Sequence, residues 1–551
     1  MTGDNDRPGD PAGGFSGGAP GSRSGLPLPG FLIHGAIEHY ARVSPGAPSM
    51  VFSGETMTYG ELDRQSAQMA HCLLAEGLER SDRVGIFMRK GLALGPAIYG
   101  TLRAGGAFVP LDPGLPPERL AFLIADCGIQ IVISTDAQAE TLRALPDDCR
   151  PLIVGTTAEL PMKTVSPADL AEAPALPPEG VWVTDQDLAY IMYTSGSTGQ
   201  PKGMMHTHRG CLAYARWGAG HVRLGPGDKV ASHAPLHFDL SIFDFFSTSQ
   251  VGAAVVLVPE VVTKFPASWT ETIEKERISV VFTVPFTLME MERRGALASR
   301  DLGCLRWILF GGEPYPPQDL RALMNALPGT RFSNVYGPAE APSCTVYDVP
   351  DDYRSSESDE PLPIGNVSVG SDGLILDEDG ACAAPGDPGE LCIRSTTLTR
   401  GYWNRPDLNA RAFLVRPSYA PDGEVYYRTG DVVRQRPDGL LEFLGRRDRM
   451  VKTRGHRVEL DEVEAALSSH AEVEEAAAFT RPDEQGSQSI HGAVRIAPGA
   501  AATPSELRSF LRAKLPSYAV PVSITILAEL PRTSTGKVDR GSLATAPPGD
   551  S

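Results

Sequence analysis

Tyr190-Ile191-Met192-Tyr193-Thr194-Ser195-Gly196-Ser197-Thr198-Gly199-Gln200-Pro201-Lys202-Gly203 is the stretch around which the rest of the chain is organised. The apolar run over 188–193 predicts a buried strand. It breaks into a loop of glycines and hydroxyl residues that closes on Lys202. Glycine lets backbone N–H groups turn inward without side-chain obstruction. Hydroxyls add further donors and the lysine a mobile positive charge, so the loop reads as a cradle for phosphate oxygens. A flexible surface loop is the other reading of such a cluster. The preceding strand and the Pro-Lys-Gly ending favour the cradle. The spacing is not that of the G-x-x-x-x-G-K-S/T loop.

The 551 residues suffice for two or three domains with a large core. Hydrophobic residues make up 42% and charged residues 21%, ordinary for a globular chain. Lys+Arg 50 against Asp+Glu 68 leaves a net charge of −18, which argues against a general nucleic-acid or anionic-membrane binder. The eight cysteines form no C-x-x-C pair, so neither a zinc site nor a disulfide framework is suggested and a reducing cytoplasm is the simplest compartment. No apolar run approaches the roughly 18 residues of a membrane span. Residues 1–28, rich in Gly, Pro, Ser and Asp and without a signal-peptide core, read as a disordered tail.

Along the chain, 33–70 reads as helical. A strand over 83–88, a helix over 92–103, a strand over 107–111, a helix over 117–126 and a strand over 129–134 follow. This alternation predicts an α/β architecture with doubly wound parallel sheets. Residues 155–187 read as a long loop. Beyond the phosphate loop come 204–208, a helix over 210–217, and buried strands over 229–234, 255–258, 279–284 and 307–310, while the segment from His237 to Asp244 opens a helix. Two apolar runs end in polar motifs, Gly311-Gly312-Glu313-Pro314 and Asn334-Val335-Tyr336-Gly337-Pro338-Ala339-Glu340. In open α/β sheets ligands sit beyond the carboxyl ends of the strands, so these motifs converge on one site. Residues 361–402 read as a β-rich subdomain. After Asp448 the pattern is that of a small α+β domain: a helix over 459–467, strands near 473–480 and 490–496, a helix over 504–515 and a strand over 523–527. The expected division is 29–444 for the large domain and 445–551 for the small one.

Taken singly, several polar residues keep two readings. Glu340 is a Mg²⁺ ligand beside a triphosphate or a solvated loop glutamate. Tyr336 stacks on a base or fills the core. Asp431, after Tyr427-Arg428-Thr429-Gly430, accepts both hydroxyls of a ribose or closes an ordinary turn. Arg446 faces ribose or phosphate, or makes an exposed ion pair. Asp239, in Phe238-Asp239-Leu240-Ser241-Ile242-Phe243-Asp244, binds an amine or caps a helix.

Together these motifs resemble the adenylate-forming superfamily of acyl-CoA synthetases, luciferases and the adenylation domains of non-ribosomal peptide synthetases. The resemblance spans about residues 30–540. It also takes in the 102–113 segment L-R-A-G-G-A-F-V-P-L-D-P and the closing Pro531-Arg532-Thr533-Ser534-Thr535-Gly536-Lys537-Val538-Asp539-Arg540. It implies an ATP site formed by Thr194, Ser195, Gly196, Ser197, Thr198 and Gly199, by Gly311, Gly312, Glu313 and Pro314, by Asn334, Tyr336, Gly337 and Ala339, and by Asp431 and Arg446. It implies Lys202, Glu340 and Lys537 as catalytic residues, Glu340 as the Mg²⁺ ligand, and Asp448 as the hinge on which a mobile small domain swings between adenylation and thiol transfer. The chemistry needs such cations, because negative charge accumulates on the phosphate oxygens as a carboxylate attacks phosphorus. Ala339 departs from the family, which usually has Thr there. One hydrogen bond to the α-phosphate, worth about 0.5–1.5 kcal/mol, is lost with it.

Asp239 selects the branch: the resemblance implies that it pairs with a substrate ammonium, as in peptide-synthetase adenylation domains. The implied side-chain pocket is Asp239, Leu240, Phe243, Phe282, Leu309, Gly311, Val335, Ser343 and Cys344 with Lys537. Apart from Asp239 and Lys537 it carries no charge, so an aliphatic, cyclic or β-amino acid with an uncharged side chain is expected. No condensation motif H-H-x-x-x-D-G is present and no carrier-protein serine motif follows Arg540. The expected enzyme is therefore a free-standing, cytoplasmic amino acid–AMP ligase using ATP and Mg²⁺. It passes its product to the phosphopantetheine of a separate carrier protein, with no nucleic-acid or membrane partner. An acyl- or aryl-CoA ligase, and a non-catalytic relative suggested by Ala339, are the other two readings.

Overall fold

The strand before the phosphate loop, Leu188–Thr194, lies inside a seven-stranded sheet. The computed structural model describes residues 30–546 apart from 197–199, 369, 417–422, 484–486, 498 and 533–537; the tail expected over 1–28 lies outside the described residues. Across the seven-stranded sheet the order is Thr164–Val165, Leu152–Val154, Ile131–Ser134, Arg83–Phe87, Ala107–Pro110, Leu188–Thr194 and Lys202–Thr207. All neighbours are parallel except the last pair, in which the strand after the loop returns antiparallel with Thr194 opposite Lys202. A second sheet has nine strands, parallel from Arg331–Tyr336 through Trp307–Gly311, Val280–Thr283, Lys229–Ser232 and Ala254–Leu257 to Pro48–Phe52, with antiparallel strands at both edges.

Short uninterrupted apolar runs make these strands because both faces of each sheet are covered. Adjacent residues point to opposite faces. Met50 therefore joins the core shared by the two sheets and the helices Tyr59–Ala75, Leu94–Arg103 and His208–His221. Val51 joins the core under the helices Pro266–Glu276, Pro285–Arg294 and Pro317–Ala326. The outer face of the seven-stranded sheet packs Val109, Val132 and Ile153 against the helix Pro117–Cys127. Helices on both faces of largely parallel sheets are the doubly wound arrangement that the sequence predicts.

A five-stranded antiparallel sheet containing Pro388–Ser395 and Glu424–Gln435 forms the β-rich part, a little later in the chain than 361–402. Beyond Asp448 stands the smaller α+β domain. It has a hairpin of Met450–Thr453 and His456–Glu459, the helices Leu460–Ser468 and Pro504–Arg512, and a sheet of Val473–Pro482, Gln488–Ile496 and Ser523–Ile526 around its own apolar core.

Three local expectations are corrected. The helical reading of 33–70 is broken by a hairpin, Pro48–Phe52 with Glu55–Thr58, whose turn residues Ser53 and Gly54 have φ of 52° and 86°. Positive φ at both central positions matches the twist of the flanking strands. Thr58 and Glu61 then form a reciprocal cap that starts the helix Tyr59–Ala75. The loop over 155–187 carries a strand, Thr164–Val165, and a helix, Pro167–Glu172, capped in the same way by Ser166 and Asp169. The segment after Asp239 makes one helical turn, Leu240–Ile242, and then widens into a π-turn over Phe243–Ser247. Such bulges cluster at functional sites.

Candidate active site

A cavity of about 110 Å³ opens where the carboxyl ends of strands from the two large sheets meet. Its floor holds Thr194 and Ser195 from one sheet and Gly311, Gly312, Gly337 and Ala339 from the other. Two of these glycines are required by close approach. A Cβ on Gly311 would lie 2.1 Å from the Val335 carbonyl oxygen, and one on Gly337 would lie 2.4 Å from the Ser343 nitrogen. The roof comes from the small domain: Lys452, Gly455 and Arg457 of its hairpin, and Tyr518.

On the phosphate-loop side, the Thr194 hydroxyl is buried and has no hydrogen-bond partner among the described residues. The Ser195 hydroxyl donates to the Arg457 carbonyl at 2.9 Å. Ser197, Thr198 and Gly199 lie outside the described residues. Lys202 stands 3.9 Å from both Glu340 and Glu459 and 5.0 Å from the centre of the Tyr402 ring. Burial, then the Arg457 charge, lowers the Lys202 pKa, and the two carboxylates only partly oppose this.

Glu340 is fully buried. The Tyr402 hydroxyl donates to one carboxylate oxygen at 2.6 Å and an Arg457 N–H to the other at 2.8 Å. Burial alone would raise its pKa, but Arg457, Lys202 and Tyr402 outweigh burial and hold it well below the usual carboxylate range. The site therefore keeps a buried, ionised carboxylate facing a buried lysine.

Further along the cleft, Asp431 accepts from the Tyr336 hydroxyl on one oxygen and from Arg446 on the other. Arg446 also grips Asp448 through two N–H groups, each at 2.6 Å, so the residue expected at the hinge is tied to the cleft wall. Tyr336 is 8% exposed and packs in a core cluster with Cys344 and Leu391. Glu313 accepts the Gly455 N–H, Pro314 is exposed, and the Asn334 side chain donates to the Pro363 carbonyl at 2.9 Å.

At the other end, Asp239, Leu240, Phe282, Gly311, Val335 and Ser343 line the cavity. Asp239 occupies the cap position of the turn Leu240–Ile242, yet its side chain makes no cap bond. Burial raises its pKa, opposed by the Lys452 charge. Phe243, Leu309 and Cys344 stand behind this lining. The Phe243 ring meets Phe282 edge-on with centroids 5.5 Å apart, Leu309 is fully buried, and the Cys344 thiol donates to the Tyr336 carbonyl at 3.6 Å. Tyr214, Val284 and Pro342, which the sequence pattern did not single out, complete the wall.

Lys537 lies outside the described residues, and its neighbours Arg532 and Val538 bridge each other. Among the described residues the cleft holds, beside Arg446 and Lys202, the cations Lys452 and Arg457, with Tyr402 as the hydroxyl partner of Glu340. None of Lys452, Arg457 and Tyr402 was a candidate. The signal that points to them is Lys452-Thr453-Arg454-Gly455-His456-Arg457-Val458-Glu459, cations around a glycine with φ of 82° immediately after Asp448.

A family model described as "AMP-binding enzyme" matches residues 37–403, and one described as "AMP-binding enzyme C-terminal domain" matches 462–537. The chain is 34% identical over 514 residues to an L-proline--[L-prolyl-carrier protein] ligase of Pseudomonas fluorescens, covering 93% of this chain and 99% of that protein. It is 35% identical over 538 residues to a protein of the same name from Streptomyces coelicolor, covering 93% and 95%. Among solved structures, that of IdnL1 superposes with a TM-score of 0.77 at 30% identity, covering 91% of this chain and 99% of that one.

Proposed function

Because this chain belongs to the AMP-binding enzyme family, we propose that it activates L-proline with ATP and loads it on a separate carrier protein. The enzyme is an amino acid ligase. The amino-acid carboxylate attacks the α-phosphorus and pyrophosphate leaves. The thiol of the carrier's phosphopantetheine then attacks the acyl carbon, forming a thioester while AMP departs and the thiol proton passes to solvent. The single observation that carries the proline assignment is the end-to-end match to two ligases named for it, and the cavity suits that substrate. Asp239 is an acid with no cap bond, available to a substrate ammonium. Leu240, Phe282 and Val335 offer apolar contact to a saturated ring.

In this reading Thr194, Ser195, Gly196 and Lys202 take the β- and γ-phosphates, Asp431 the ribose hydroxyls, and the backbone around Gly311 and Gly337 the base. Lys537 reaches the α-phosphate when the small domain turns about Asp448. The residues present fit Mg²⁺: Glu340 is held ionised, and the unpartnered Thr194 hydroxyl lies at the loop. Among the described residues no three His, Cys, Asp or Glu cluster, so Glu340 would share the ion with nucleotide phosphates. The ion would neutralise charge on those oxygens. No described helix is long and apolar enough to cross a membrane.

The test is amino-acid-dependent ATP–pyrophosphate exchange over α- and β-amino acids and their des-amino analogues. L-Proline is expected to give the strongest exchange, with Asp239→Ala losing most of it. A β-amino acid as the best substrate would overturn the proline assignment. Exchange with cyclopentanecarboxylic acid, unaffected by Asp239→Ala, would move the enzyme to the acyl-CoA ligases.

A further inference from the structure

Two glycines stand in the last turn of the helix His208–His221, and their surroundings differ. A Cβ on the exposed Gly220 would meet nothing within 4 Å. A Cβ on the buried Gly218 would lie 2.6 Å from Cδ2 and 2.8 Å from Cε2 of the Phe243 ring, and 2.6 Å from the Ser247 hydroxyl oxygen. Glycine is a poor helix former, so its place at 218 has a packing reason. Ser247 gives way by turning about one bond, and its hydroxyl has no hydrogen-bond partner to lose among the described residues. The Phe243 ring has no such freedom. It is fully buried and opens the π-turn four residues after Asp239.

The same ring meets Phe282 edge-on with centroids 5.5 Å apart, and Phe282 lines the cavity beside Leu240 and Val335. A protein interior holds few voids, so a ring pushed off Gly218 moves toward the space that exists, through Phe282 into the cavity. We infer that Gly218 is a positioning residue for substrate choice: by presenting no side chain it lets the Phe243 ring recede, and so sets the depth of the pocket that takes the amino acid's side chain. Gly218 acts from behind the cavity wall, through two rings. The inference deepens the amino-acid reading of this site and rests on it. The pocket takes a saturated ring with Gly at 218, and a methyl there leaves room only for a smaller side chain.

The experiment is ATP–pyrophosphate exchange with L-proline, the smaller L-alanine and the larger L-pipecolic acid. The proteins are Gly218→Ala, Phe243→Leu, their double variant, and Gly220→Ala as a control for the helix. One methylene in an apolar pocket changes kcat/KM by roughly 10- to 200-fold, so Gly218→Ala is expected to lower kcat/KM for L-proline roughly tenfold or more relative to L-alanine. Phe243→Leu is expected to raise the use of L-pipecolic acid relative to L-proline. Adding Gly218→Ala is expected to reverse that gain, because the methyl refills the space that the ring left. Gly220→Ala is expected to keep the wild-type ratios. Equal losses for L-proline and L-alanine in Gly218→Ala would overturn the inference, since a folding defect or a displaced Asp239 costs every amino acid alike. Where Gly218→Ala does not fold, Phe243→Leu and the double variant decide, and the same ratio of L-pipecolic acid to L-proline in both overturns the inference. Should the wild type prefer another amino acid, the proline reading fails and that substrate's homologues, one methylene shorter and longer, take the same test. Should no amino acid support exchange, the functional reading fails and thermal unfolding decides the packing: Gly218→Ala is expected to lower the melting temperature beside Phe243 and not in the Phe243→Leu background, and equal losses in both overturn the inference.

Discussion

Replacing Tyr402 by Phe removes one oxygen atom and tests the electrostatic design of the cleft. The hydroxyl is buried and donates at 2.6 Å to Glu340, a fully buried carboxylate. A hydrogen bond to a charged group contributes about 1.5–3 kcal/mol. That equals roughly one to two pKa units on Glu340 at 1.36 kcal/mol each. Arg457 and Lys202 remain, so the Glu340 pKa rises but stays below neutrality. Its folded value is depressed relative to the ordinary 4.5. The stabilisation it brings is therefore fully present above the unfolded value and is lost as pH falls through the folded one. Glu340 has the same pKa in both unfolded chains, so the stability gap between wild type and variant is constant at every pH above the variant's folded value. The expectation is a melting temperature lower by about 2–4 °C for a cooperative unit of about 400 residues, with a gap that stays flat from pH 5 to 8. Scanning calorimetry across that range measures both. A gap that widens or closes between pH 5 and 8, or no loss of stability, would refute the argument that Tyr402 serves an ionised Glu340.

Ala339→Thr should lower KM for ATP by about 2- to 12-fold, the equivalent of one hydrogen bond of about 0.5–1.5 kcal/mol, and exchange kinetics at saturating amino acid read it. Gly311→Ala forces a methyl to 2.1 Å from a backbone oxygen, so roughly 1–3 kcal/mol of stability and most exchange activity should go together; a variant with native melting temperature and activity would contradict the packing. Chelation by EDTA should abolish exchange and added Mg²⁺ restore it, with Glu340→Gln needing far more Mg²⁺ for half-maximal activity. Exchange that survives EDTA would remove Glu340 as a metal ligand.

The fold was legible where local pattern and tertiary environment agree. Short apolar strands alternating with helices announced the doubly wound sheets, because a strand buried on both faces has no polar positions to blur its signal. The hairpin over 48–58 was missed because Met50, Val51 and Met57 fit a helical as well as a strand period in so short a run. The positive φ of Ser53 and Gly54 is invisible to periodicity. In the site, the loop after Leu188–Thr194 and the turns at Gly311 and Gly337 were legible because glycines and polar residues break off apolar strands there.

What the sequence by itself pointed to is the chemistry expected: a phosphate cradle at 194–203, an acid at Asp239 for an amine and a carboxylate at Glu340 for a metal, the first and last beside glycines. What only the tertiary structure decided is which charges meet. Arg457, Arg119 and Glu462 look like ordinary surface ions in a hydrophilic stretch. Arg457 becomes the buried partner of Glu340, and Arg119 that of Glu462, because the small domain folds back across more than a hundred residues of chain. Coulomb energy depends on distance and burial in space, and separation along the chain encodes neither.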